Sequence, residues 1–225
     1  MPRKRYAEQL EDLRRNVLKM GDLVLGRLKD AMTAMIEADV DRADEIGAGD
    51  DRIDDMYVSI EGDCANLLAL QQPVAVDLRL ITASYKIITD LERIGDKVVN
   101  LTDYTQEFDA EFLLDKNEIV EMSDFAGGMI DDALTYYDLQ DLENARSLIK
   151  RDEEMDRMCE ENTNKILHHL IKKESTSLST EEATTLGGQV LLELLTIRDL
   201  ERVADHATNI AARTIYLITS ERDMI

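Results

Sequence analysis

The 225-residue chain carries 26 Lys and Arg against 48 Asp and Glu, a formal charge of −22, with 44% apolar residues and only 2 Pro and 10 Gly. That charge repels phosphate backbones and anionic lipid surfaces, so nucleic acid is a poor partner, while the apolar fraction supplies a packed core without disulfides. No window is apolar and long enough to cross a bilayer, and the basic start Arg3-Lys4-Arg5 runs at once into Glu8, Glu11 and Asp12, so neither membrane insertion nor secretion is expected and the expected location is cytoplasmic.

Apolar residues recur at three- and four-residue steps along the chain, and strand-type alternation is nowhere sustained. A first helix, with Leu23, Leu28, Met32, Met35 and Ile36 on one face, runs to a break at 39–41, and a second to a break at 71–73. The third carries Ile87, Ile88, Leu91, Ile94, Val98 and Leu101 and ends in 108–115. Breaks at 140–141 and 175–180 divide the remainder into three more. Six helices of roughly 25 to 40 residues are bundle lengths. Cys64 and Cys159 lack any CxxC spacing and are expected as buried free thiols. In the turn 71–79, Pro73 and Asp77 are helix-start residues, whereas Gln72 and Arg79 have no such explanation, and the second half has no counterpart of the turn.

The chain repeats itself. At a shift of 102, Asp39, Asp41 and Ala43 lie over Asp141, Glu143 and Ala145, and Asp50, Ile53, Asp54 and Met56 over Asp152, Met155, Asp156 and Met158. At a shift of 109, Asp90-Leu-Glu-Arg-Ile-Gly-Asp96 lies over Asp199-Leu-Glu-Arg-Val-Ala-Asp205, and Asn100 over Asn209. Amphipathic helices align their Leu and Ile by chance, but not identical Asp, Glu, Arg and Asn at identical spacing. The fold expected is therefore all-α, two tandem three-helix bundles of residues 1–108 and 109–225, with seven extra residues in the Ser-rich loop at 175–180 and its flanks.

Residues four apart share a helix face, so Glu92 with Asp96, and Glu201 with Asp205, each present two carboxylates. Glu92 lies about 40° from Ile88 around the helix, beside the buried stripe. Like charges there require a compensator, and a cation is the natural one. Asp50 with Asp54 and Asp152 with Asp156 lie on the preceding helix, and counting from the turns brings each pair within about 1.5 Å and 3 Å of the level of its partner. With Asn100 and Asn209 one turn on, these carboxylates form all-oxygen sites suited to hard cations. Arg93 and Arg202 are expected as ion-pair partners of neighbouring acids, His206 as a surface residue, and His168 and His169 as helix-end residues. No Gly-rich loop precedes a helix and no basic nest is present, so no phosphate pocket is expected.

The turn Gln72-Pro73-Val74-Ala75-Val76-Asp77-Leu78-Arg79, followed by Asp90-Leu91-Glu92-Arg93-Ile94-Gly95-Asp96 and then by the second Asp-Leu-Glu-Arg motif ending in Asp205, resembles the PhoU family over nearly the whole chain. The resemblance implies metal ions or clusters held by Glu92, Asp96, Glu201 and Asp205 with Asp50, Asp54, Asp152 and Asp156 opposite, the ion being iron, manganese, magnesium, calcium or zinc. It implies no catalysis and no organic cofactor. The function implied is negative regulation of high-affinity phosphate uptake through the ATPase subunit of the phosphate transporter, with a sensor histidine kinase as a second partner and a homodimer as the assembly. The alternatives from the residues are a di-metal carboxylate oxidase or metal-storage bundle, although no histidine here has the Glu-x-x-His spacing such sites use, and a metal-free structural bundle or coiled-coil scaffold.

Overall fold

The computed structural model describes residues 2–71, 73, 75–107, 112–174 and 179–220. They form eight helices and no strand: α1 (Pro2–Glu37), α2 (Val40–Gly47), α3 (Asp51–Gln71), α4 (Val76–Glu107), α5 (Lys116–Leu139), α6 (Leu142–Ile149), α7 (Asp152–Glu174) and α8 (Thr180–Thr219). The all-α fold and its duplication stand, but the two short helices α2 and α6 correct the six-helix expectation. Each is set off from the next helix by only two or three residues, too short a break to interrupt an apolar pattern.

The repeat reaches the backbone. Ala38 and Gln140, matched at the shift of 102, both adopt left-handed φ, at 54° and 53°. Each is followed by an aspartate capping the short helix: Asp39 accepts from the Arg42 N–H at 3.0 Å and Asp141 from the Asn144 N–H at 3.1 Å. The seven extra residues of the second half are mainly helix and not loop. Val76 matches position 185, whereas α8 already starts at Thr180, behind a capping box between Ser179 and Glu182. Positions 175–178 of the expected loop, and the expected boundary at 108/109, lie outside the described residues.

In α1 the fully buried positions Leu13, Val17, Met20, Val24, Leu28, Ala31 and Met35 follow steps of three and four, one stripe along the helix. That stripe, with those of α4, α5 and α8, builds one apolar cluster to which both halves contribute. Among the four long helices α4 packs against α1 and α8, and α5 likewise against α1 and α8, so the four form a ring. On the outside, α3 packs against α1 and α4, and α7 against α8 and α5. The α3–α4 and α7–α8 seams that carry the acidic pairs are thus the outer seams of the molecule. Cys64 and Cys159 are free and buried. No described helix is long and apolar enough to cross a membrane.

Candidate metal centre

The α3–α4 hairpin is held in antiparallel register by Cys64 Sγ to the Ile81 carbonyl, 3.8 Å, and Tyr85 Oη to Glu61, 3.1 Å. Continued along both helices, this register puts residue 52 opposite residues 93 and 94, so the Asp50/Asp54 pair faces Glu92/Asp96. Gly95 allows the approach: a Cβ there would meet Ile53 Cδ1 at 3.0 Å and Asp50 Oδ1 at 3.7 Å. Asp50 itself is not on the helix but in the break before it, where its carbonyl accepts from Ile53 N–H at 2.8 Å. Its match, Asp152, is the first residue of α7.

Within each set the carboxylates lie near enough to repel one another. Burial pushes the Glu92 carboxyl up, Asp96 and Asp54 add to the push, and Arg93 opposes it. Asp50 is raised by burial and by Asp54, Asp96 and Asp51, against Arg27. In the second half Glu201 is raised by burial, Asp205 and Asp156, against Arg202, and Asp152 by burial, Asp205 and Asp156. Asp205 is raised by burial, and Arg202 and His206 counter it. Asp54, Asp96 and Asp156 are exposed, so their side chains turn freely. Among the described residues no three His, Cys, Asp or Glu side chains close tightly enough round one point to hold a metal ion. Carboxylates that repel one another, some half-buried and some exposed, are the oxygen donors a hard cation would take if the exposed side chains turned inward.

Three residues stand elsewhere than the sequence suggested. Asn100 is engaged across the α4–α8 seam, donating to Asp199 Oδ2 at 3.1 Å, while Asn209 is half-buried on α8. His206 is not a surface residue: its side chain is 12% exposed, and Nδ1 lies 3.0 Å from Asp90 of α4. Arg79, left unexplained by helix-start chemistry, donates through Nε to the Leu217 carbonyl at 2.9 Å, capping the last turn of α8. Arg202 pairs with Asp205 at 3.8 Å, as expected of it, and His168 and His169 are exposed on α7.

Two neighbours of the acidic sets have no signature in residue spacing. Arg27 of α1, 11% exposed, lies 3.3 Å from Asp50. Its signal was a charged residue beside the buried stripe of α1, over Met129 in the repeat. Cys159 adjoins the second set, where burial, Glu201, Asp156 and Asp205 push its thiol up to about 12.

Comparison with known proteins agrees with this architecture. A PhoU domain matches twice, over residues 17–105 and 119–214. A phosphate-specific transport system accessory protein PhoU homolog from Clostridium acetobutylicum is 34% identical over 99% of this chain and 98% of its own length. One from Synechocystis is 34% identical over 99% and 95%. Among solved structures, the crystal structure of PhoU from Pseudomonas aeruginosa superposes with a TM-score of 0.86 at 30% identity, covering 96% of this chain and all of that one. The phosphate transport system regulatory protein PhoU from Streptococcus pneumoniae superposes at 0.85 and 28%, over 96% and 98%. The duplicated acidic seams, the helix order and these matches together make this chain a member of the PhoU family.

Proposed function

We propose that this chain is a non-catalytic, cytoplasmic negative regulator of high-affinity phosphate uptake, a cation-loaded helical adaptor that acts by contact with the ATPase subunit of the phosphate transporter. The observation that carries the reading is the pair of matched carboxylate seams, Asp50, Asp54, Glu92 and Asp96, and Asp152, Asp156, Glu201 and Asp205, whose mutual repulsion a bound cation relieves. All-oxygen donors favour iron(III), manganese, magnesium or calcium over zinc, which takes nitrogen and sulfur ligands more readily. A sensor histidine kinase, where one exists, and a second copy of the chain are further partners of this reading. The relatives' role as accessory proteins of phosphate-specific transport supports the substrate system.

The oxidase or storage alternative has less behind it. His168 and His169 are exposed on α7 and His206 is bound to Asp90, so none completes a Glu-x-x-His pair.

The test is co-purification of tagged chain with the transporter ATPase, alongside phosphate uptake in a deletion strain. Association and raised uptake in phosphate-replete cells are expected. No association together with unchanged uptake would overturn the regulatory reading. Elemental analysis of protein purified without chelator, against Glu92→Gln/Asp96→Asn/Glu201→Gln/Asp205→Asn, tests the cation separately: metal retained in that variant removes these ligands.

A further inference from the structure

The two acidic seams match in their carboxylates but not in their cations. In the first half Arg27 reaches from α1 to Asp50, with Nη2 at 3.3 Å. Its seat is built: the side chain is 11% exposed, and a Cβ on Gly49 would come within 2.9 Å of Nη1. In the second half both positions have changed. Met129, fully buried, stands at the match of Arg27, and Arg151 at the match of Gly49. Arg151 does not restore the missing charge at Asp152. Its Nη1 lies 2.6 Å from Asp132 and its guanidinium carbon 4.8 Å from the Phe125 ring centre, both on α5. The repeated Asp-Leu-Glu-Arg motif gives each seam one arginine, Arg93 and Arg202, and His206 beside the second seam is occupied by Asp90. His206, which stands where the first half has Lys97, also acts on Asp205 but shares its charge with Asp90, so the arginine without a counterpart at the second seam is Arg27.

We infer that Arg27 is a resident counter-cation of the first seam, so that an oxygen-preferring metal ion loads the second seam, around Asp152, Asp156, Glu201 and Asp205, before the first. This inference rests on the cation reading above. Entry of a metal ion at Asp50 brings two positive charges against a guanidinium held in a low-dielectric pocket, which weakens binding there by on the order of tenfold. At Asp152 no such charge opposes entry. The two seams therefore fill in order over a range of cation concentration, and Arg27 sets the width of that range.

The experiment is titration of manganese(II) into the chelator-stripped full-length chain, followed by calorimetry and by the manganese paramagnetic resonance spectrum. Wild type should show two classes of site, on the order of tenfold apart. Glu201→Gln/Asp205→Asn should remove the tighter class, and Glu92→Gln/Asp96→Asn the weaker. Arg27→Met, checked for helicity by circular dichroism, should bring the two classes together, whereas Arg27→Lys, which keeps the charge, should leave them apart. Two equal classes in the wild type, an unaltered gap in Arg27→Met, or loss of the tighter class with Glu92→Gln/Asp96→Asn each overturns the inference while leaving the cation reading intact. No manganese binding to the wild type overturns both.

Discussion

Tyr104 of α4 donates its hydroxyl proton to Asp199 Oδ2 of α8 at 2.8 Å, and Asn100 reaches the same oxygen. Arg198 supplies Oδ1 at 3.1 Å, so a carboxylate only 1% exposed is satisfied on both oxygens. Burial, with Asp199 beside it, pushes the Tyr104 hydroxyl up to about 12. Asp90, the match of Asp199, makes the reciprocal contact with His206. The first residue of the repeated Asp-Leu-Glu-Arg motif is thus a fastener between the halves, whereas its glutamate faces the outer seam.

Removing the fastener should be costly. Asp199→Ala leaves two half-buried donors unpaired and should lower unfolding stability by about 2–4 kcal/mol, against roughly 1–2 kcal/mol for Tyr104→Phe, which removes one charge-assisted bond. Urea denaturation checks both. A change in Asp199→Ala within the scatter of the wild type would show that the seam holds without it.

Glu193 of α8 is fully buried, and its two oxygens accept the backbone N–H groups of Leu113 and Leu114 at 2.6 and 3.0 Å. It ties the segment leading into α5 to the start of the core. Burial raises its carboxyl while these two bonds oppose the rise. Glu193→Ala should cost about 2–4 kcal/mol by orphaning two amides, and Glu193→Gln less, since one acceptor survives. Hydrogen exchange at Leu113 and Leu114 reports the effect directly: their protection should fall in both variants, and fall further in Glu193→Ala.

The acidic seams set a pH dependence of definite sign. Asp50, Asp152 and Asp205 are raised above 3.8, and Glu92 and Glu201 above 4.5, in the folded chain. Between those ordinary values and the raised ones the folded state binds more protons than the unfolded state, so stability falls as pH rises through the window. Metal-free protein should melt about 2–6 °C higher near pH 4.5 than near pH 7.5. Manganese at the upper pH should restore the loss at concentrations far below those at which sodium chloride screens the general charge. Glu201→Gln/Asp205→Asn should flatten the pH slope; an unchanged slope in that variant would place its origin elsewhere.

Gly95 has a control inside the molecule, because Ala204 holds the matching position on α8. Gly95→Ala should be tolerated, with Ile53 yielding a few tenths of an ångström. Gly95→Val adds volume against Ile53 and should separate α3 from α4, with a loss of about 1–3 kcal/mol that thermal denaturation would register.

What the sequence disclosed depended on distance along the chain. The long helices, the duplication and the facing of Asp50/Asp54 with Glu92/Asp96 follow from periodicity and from counting outward from one turn, because all of these are local. The helices α2 and α6 were hidden: the break around Gly47 and Gly49 is brief, and that at Lys150 and Arg151 uses residues that a helix accepts. The extra length of the second half points to the Ser-rich loop and its flanks, and its division between loop and helix is not legible because Thr and Glu at 180–184 suit a turn as well as a first helical turn. His206 and Arg27 were missed for a different reason. Their partners, Asp90 on α4 and Asp50 in the break before α3, lie 116 and 23 residues away, and no spacing rule connects them.

The single apolar cluster has a consequence for the history of such a chain. Leu101 from one half and Ile210 from the other lie in the same interior, and neither α4 nor α8 has another layer to cover its inward flank. Severed between α4 and α5, each fragment would bear a long greasy strip and would seek the other. The duplication has therefore turned what resembles the contact between two molecules into the inside of one, and sequence drift at that contact must be matched from across it.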